Sequence, residues 1–269
     1  MNEVIDMKFI TMKSATSFHR CLLSLSVAAA AALPVASLAQ PGEVEPDAVQ
    51  LLRRATDYLA GMKQFRVDMD ATIEAVISSG QKLQFGQRVA VTVQRPNKMR
   101  AERLGELVNQ TFYYNGEALG VDLPDQRYYA MAPAPPTMEG MLDFARDELS
   151  IIAPGSDLIY KNAFERLTQD LTSAFVVGKS VIGGVRCDHI AFSNAEVDWQ
   201  IWIPEGAHPL PRKFIVTSKR ITQSPQFVVV LSKWDAAPKI TDATFRFVPP
   251  KGSRQIDFLR SATAIAAKK

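Results

Sequence analysis

The sequence has little of what protein chemistry usually needs. Its 269 residues hold 2 cysteines and 3 histidines. There is no H-x-x-H, no C-x-x-C and no acidic cluster at ligand spacing, so no metal site is expected. No G-x-S-x-G, P-loop or dinucleotide fingerprint occurs, and no cofactor is expected. Charge of one sign is lacking too. The chain has 31 Lys and Arg against 28 Asp and Glu, a net charge of +3. A nucleic-acid binder shows a strongly basic face, so nucleic acid is excluded as a partner.

What is present begins with an export segment. Lys8, Lys13, His19 and Arg20 precede an uncharged apolar run from Cys21 to Leu38, broken by Pro34. The run ends in Ser37-Leu38-Ala39, with small residues at the two positions a signal peptidase reads. This is the layout of a secretory signal peptide, cut between Ala39 and Gln40. The run is short and Ala-rich for a membrane span, which needs about 20 strongly apolar residues. Cys21 follows Arg20 and precedes the apolar run, which is not a lipoprotein arrangement. The expectation is a signal peptide over 1–39 and a single periplasmic domain over 40–269, with no stable membrane span after cleavage. Cys187 is then the only cysteine left, so no internal disulfide forms in a compartment that would permit one.

The rest of the chain is mostly strand. Asp47 is placed to cap a first helix with Ala48, Leu51, Leu52, Ala55, Leu59 and Met62 on one face. Phe65, Val67, Met69, Ala71, Ile73, Ala75 and Ile77 then alternate with Arg66, Asp68, Asp70, Thr72 and Glu74. Alternation of period two means a long strand with one wet and one buried face. Ser78-Ser79-Gly80 turns it, and Leu83, Phe85, Val89, Val91 and Val93 complete a hairpin that ends at Arg95-Pro96-Asn97. Met99–Leu104, Leu107–Tyr114, Glu117–Leu123 and Arg127–Met131 continue as short strands. Asn115-Gly116 is a turn, because both residues tolerate positive φ. Helical spacing returns over Thr137–Leu149, and Ser156–Leu171 reads as mostly helical. This insert separates a second set of strands, at Ala174–Ile182, Val185–Ser193, Val197–Ile203, Arg212–Ser218 and Gln226–Trp234. Short antiparallel strands with Pro and Gly turns argue for a curved sheet or incomplete barrel, an α+β fold.

Three places invite a chemical reading. Cys187-Asp188-His189 puts three reactive types together, but on a strand Cys187 and His189 share a face and Asp188 points away. Two residues along a strand separate them by about 6–7 Å, too far for a direct Cys–His bond. Asp68, Asp70 and Glu74 share a strand face, the usual solvated side of a sheet. The apolar strand faces and the helix bearing Met138 and Met141 have two readings, a greasy concave pocket or a packed core. Methionine suits variable apolar ligands because its side chain is flexible and polarizable.

Several motifs carry a resemblance. Gln94-Arg95-Pro96-Asn97-Lys98-Met99-Arg100 is similar to the R-P-N turn of LolA-type lipoprotein carriers. Thr244-Phe245-Arg246-Phe247-Val248-Pro249-Pro250-Lys251-Gly252 resembles their closing F-x-F-x-P-P-x-G strand. The first helix with Phe65-Arg66-Val67-Asp68, and Tyr114-Asn115-Gly116-Glu117-Ala118-Leu119, hold the matching places in order. A closer resemblance is to the predicted-periplasmic domain-of-unknown-function family twenty-ninety-two. It is carried by Cys187-Asp188-His189-Ile190-Ala191-Phe192, by Asp198-Trp199-Gln200-Ile201-Trp202-Ile203 and by Pro209-Leu210-Pro211-Arg212-Lys213. The resemblance implies a strongly curved, open antiparallel sheet closed by helices over a hydrophobic concavity. In lipoprotein carriers that concavity takes acyl chains and the arginine of the R-P-N turn holds the lid, a role Arg95 would inherit.

The leading expectation is a non-catalytic carrier-like protein for an acyl or lipid-like ligand. Its ligand and lid residues are Arg95, Met69, Ile73, Val91, Met138, Met141 and Leu142. Asp188, His189, Trp199 and Trp202 are signature residues. One alternative is a filled core with an envelope protein as partner, met by exposed aromatics such as Trp199, Trp202 or Tyr128. Another is an enzyme centred on His189.

Overall fold

The structure, a computed structural model, describes residues 42–259. The expected signal segment and its cut lie outside the described residues. Helix α1 spans Pro46–Gly61 and carries Ala48, Leu52, Ala55 and Leu59 on its buried face. Pro46 opens the helix, where its missing N–H costs nothing. Asp47 is not the cap. Glu45 holds that position without a side-chain cap bond, and Asp47 lies in the first turn beside the positive end of the helix dipole.

The strands of the first half follow the alternation. They are β1 (Gln64–Val76), β2 (Lys82–Gln94), β3 (Lys98–Gly105), β4 (Gln110–Tyr114), β5 (Ala118–Leu123) and β6 (Tyr128–Pro133). The second half gives β7 (Ser173–Ile182), β8 (Val185–Ser193), β9 (Val197–Pro204), β10 (Lys213–Ser218) and β11 (Gln226–Asp235), with a short β12 at Arg254–Gln255. Each half is a meander. The two join where β11 pairs with β1, giving one 12-stranded sheet with β12 and β7 at its ends. The sheet is therefore open and curved, in an α+β chain. It is antiparallel except at β12, which runs parallel to β6.

The turn between β4 and β5 works differently from the expectation. Gly116 alone takes positive φ, at 95°. Asn115 stays outside that region, and its Oδ1 accepts from the Glu117 and Ala118 N–H groups at 3.0 Å. A Cβ on Gly116 would also collide with the Asn97 side-chain amide, so the R-P-N turn and this hairpin pack together.

The helical insert is shorter than its sequence pattern. Helix α2 covers Met138–Asp147, with Thr137 as cap accepting from Gly140 N. The expected helix over 156–171 splits into a 3-10 turn at Ser156–Ile159 and helix α3 at Ala163–Thr168. Tyr160 between them is extended, and its buried hydroxyl donates 2.9 Å to Asp143 on α2. A tertiary contact thus overrides helix propensity.

The F-x-F-x-P-P-x-G motif is not a ladder strand. It contains the end of helix α4 (Asp242–Phe245) and then a strap across the outer sheet face. Phe247 lies against Tyr113 and Tyr129, with centroids 5.4 and 5.6 Å away. Gly120 makes that seat, since a Cβ there would stand 3.0 Å from the Phe247 ring.

Candidate functional site: a cavity beneath the helical insert

The inner face of the sheet is built in rows. Phe65, Val93, Met99, Tyr114 and Leu119 stand side by side across β1 to β5. The next row is Val67, Val91, Ala101 and Phe112, and the one after it Met69, Val89, Arg103 and Gln110. The first row lies under the insert, with Phe65, Val93, Tyr114 and Leu119 buried. Phe65, Met99 and Leu119 form one end of a cavity of about 540 Å³ between sheet and insert, and its wall continues along the next two rows. That is within the usual range of ligand pockets, roughly 300–1,000 Å³.

The expected ligand residues divide. Met69, Ile73, Val91, Met141 and Leu142 line this cavity, together with residues 151–159. Met138 does not. It is fully buried at the start of α2, and its N–H donates 3.2 Å to Pro96 O.

Arg95 stands at the junction of sheet and insert. Its side chain is 6% exposed, and its Nη1 lies 4.0 Å from Glu139 on α2. Nη2 donates 2.7 Å to the carbonyl of Ile159. Burial pushes the guanidinium below its ordinary pKa, while Glu139 raises it. Tyr114 reinforces the junction, its hydroxyl lying 2.6 Å from Pro135 O and 3.1 Å from Thr137 O. Burial pushes that phenol up to about 12. Over the cavity, Asp143 gathers Tyr160, Arg146 and Arg166 into one polar cluster.

The signature residues sit elsewhere, on β8 and β9. Asp188 is 8% exposed and 2.9 Å from Lys179, with Arg54 of α1 at 3.9 Å. His189 Nε2 lies 2.9 Å from Gln200 Oε1, and Cys187 Sγ points to Val185 O at 3.4 Å. The two side chains therefore face other partners, not each other. Burial pushes the Cys187 thiol up and the His189 imidazole down.

Trp199 and Trp202 are not exposed partner-binding aromatics, being 3% and 6% exposed. Trp199 stacks on Phe192 at 3.9 Å within the core, packed also against Phe214. Trp202 is on the opposite face but is covered by the His189 ring at 4.0 Å and by Lys213 Nζ at 4.7 Å. Tyr128 is half-buried at the sheet end, under Arg254. On the outer face of β1, Asp68 pairs with Arg66, Asp70 with Arg88 and Glu74 with Lys82. Among the described residues no group of His, Cys, Asp and Glu could hold a metal ion, and no helix is long and apolar enough to cross a membrane.

Three polar residues on the sheet side of the cavity wall escaped the sequence reading, Gln87, Arg103 and Gln110, as did Arg146, Ser156 and Asp157 on the side of the insert. A signal was present. Gln87 interrupts the apolar series Phe85, Val89, Val91 at an inward position.

Solved structures of similar shape exist at low identity. An uncharacterized conserved protein from Thermus thermophilus is 10% identical with a TM-score of 0.46, covering 78% of this chain and 99% of that one. Mycobacterium tuberculosis lipoprotein LppX is 12% identical with a TM-score of 0.40, covering 73% and 100%. A LolA superfamily protein from Nitrosomonas europaea is 12% identical with a TM-score of 0.37, covering 74% and 97%. No curated protein matches the chain. Residues 48–259 match a family model described as "Predicted periplasmic protein (DUF2092)", and with nearly all of the described residues matched, the chain belongs to that family.

Proposed function

We propose that residues 1–39 are removed as a signal peptide and that residues 40–269 act as one periplasmic domain, a non-catalytic carrier of an acyl or lipid-like ligand. The observation that carries this reading is the cavity of about 540 Å³ between the sheet and the insert. Its wall is dominated by side chains such as Val67, Ile73, Val91, Phe112 and Met141. Each CH₂ buried there would contribute about 0.8 kcal/mol, so an acyl chain binds without any cofactor. Met69 and Met141 adapt the wall to chains of different shape. Arg95 acts as the latch that ties residues 151–159 to the sheet, and Met138 anchors the start of the lid. The volume weighs against a filled core with its function on the outer surface.

The test is native mass spectrometry of the domain purified from the periplasm, with solvent extraction of what copurifies. Added masses that extract as lipids are expected, and Ala101→Trp, which puts an indole into the cavity, should remove them. A bare protein mass that also fails to bind an apolar dye would overturn the reading.

A further inference from the structure

The cavity wall is apolar except for a few side chains, and the charged ones differ in one respect. Arg146 pairs with Asp143 and Asp147, and Asp157 with Arg166. The half-buried Arg103 side chain has no ion pair or hydrogen bond among the described residues, and its Nε is shielded from solvent without a partner. Burial alone pushes its guanidinium below the ordinary value, with no carboxylate to restore it. Two uncharged groups stand beside it. Gln110 is its cross-strand partner on β4, and Gln87 lies one row along on β2. The Gln87 Oε1 is likewise buried without a partner. Gly105, opposite Gln87, adds no side chain, and a Cβ there would stand 2.8 Å from that of Gln87.

Covering an unpaired cation with apolar groups is costly, and a neutral apolar ligand filling the cavity would do that to Arg103. A guanidinium matches a carboxylate or phosphate with two parallel hydrogen bonds. Position along the strand matters as well. Arg103 is four residues from Met99, which lines the end of the cavity under the insert, so about 13 Å separates them. A headgroup at Arg103 therefore leaves its chain pointing along Ala101, Val91 and Val67 toward the helices.

We infer that the ligand is an anionic amphiphile, its carboxylate or phosphate held by Arg103 with Gln87 and Gln110 beside it, and its acyl chain in the apolar remainder of the cavity. This rests on the carrier reading above and names the class of ligand. The test is calorimetric titration of the delipidated domain with palmitate, hexadecyl phosphate and hexadecanol, which share a chain length. The wild type should bind at least one of the anions about tenfold or more tighter than the alcohol. Whichever anion is preferred identifies the headgroup as carboxylate or phosphate. Arg103→Met should erase the preference while leaving hexadecanol affinity within about twofold, and Arg103→Lys should keep part of it. Unchanged hexadecanol binding shows that a variant is folded. Equal affinity of the wild type for anions and alcohol, or a preference that survives in Arg103→Met, overturns the inference and leaves the carrier reading standing. If none of the probes binds, both fall.

Discussion

At the scale of the residue, Arg95 makes two different attachments to the helical insert. It donates to the Ile159 carbonyl at 2.7 Å and faces Glu139 at 4.0 Å. A hydrogen bond from a charged group is worth about 1.5–3 kcal/mol net. Arg95→Met keeps the length of the side chain and removes both attachments. Hydrogen exchange across residues 151–159 should speed up by about tenfold or more, with exchange in β8 and β9 unchanged. Equal protection in the two proteins would show that the insert holds without the latch. The Cys187-Asp188-His189 run illustrates the opposite case. Its three reactive types are adjacent in sequence, yet each is engaged with a separate neighbour, Val185, Lys179 and Gln200. Proximity along a strand does not make a catalytic group, because alternate residues point to opposite faces and same-face ones are a full pleat repeat apart.

At the scale of the element, one carboxylate reinforces the ladder that joins the β1–β2 hairpin to β11. Glu74 accepts from Lys82 at 3.0 Å and from the backbone N–H of Gln226 at 2.9 Å. The Lys82 bond is the larger cause of its lowered pKa, and the Gln226 bond adds to it. A carboxylate with a lowered folded pKa binds fewer protons in the folded state than in the unfolded one. Its stabilisation is complete above the ordinary value of 4.5 and is lost as pH falls through the lower folded value. Glu74→Gln should therefore be less stable than wild type near neutral pH, and the gap should close as pH falls below about 4. Urea melts at several pH values measure this, and a gap constant with pH would mean that the carboxylate charge has no part. The insert shows a second rule for elements. The Ser156–Leu171 pattern is helical by composition, but Tyr160 leaves the helix to bury its ring and reach Asp143. Packing decides where a short helix stops.

At the scale of the whole molecule, the two meanders meet only at β1 and β11 among their strands, and the first one carries most of the cavity wall. In the second, β11 also lines the cavity through Phe227, Val229, Leu231 and Trp234, while β8, β9 and β10 fill their own face with Phe192, Trp199, Ile201 and Phe214. The sheet from β8 to β10 is therefore filled by its own side chains, and the part from β11 through β4 leaves room for a guest. A guest that binds only the folded form stabilises it by mass action, about 2.7 kcal/mol at a hundred times Kd. Delipidated protein should melt roughly 5–10 °C lower than protein saturated with a tight amphiphile, for a chain of this size. A calorimetric scan with and without ligand checks it, and an unchanged melting temperature at saturation would mean that the ligand binds the folded and unfolded forms equally well.

The sequence by itself determined the strands, their faces and the open sheet they build. Period-two alternation is a direct consequence of pleat geometry, so β1 and β2 are legible to within a residue or two of their ends. It also marked Met69, Ile73 and Val91 as inward-facing. It could not say whether that inward face met atoms or space, because both outcomes follow from the same apolar pattern. Only the tertiary structure decided this, by how far the insert stands off the sheet. It alone placed Phe247 as a strap on the outer face, since Gly120 and its aromatic neighbours are distant in sequence. It alone gave Arg103 its meaning: an arginine on a strand is ordinary until the walls around it prove to hold no carboxylate within reach.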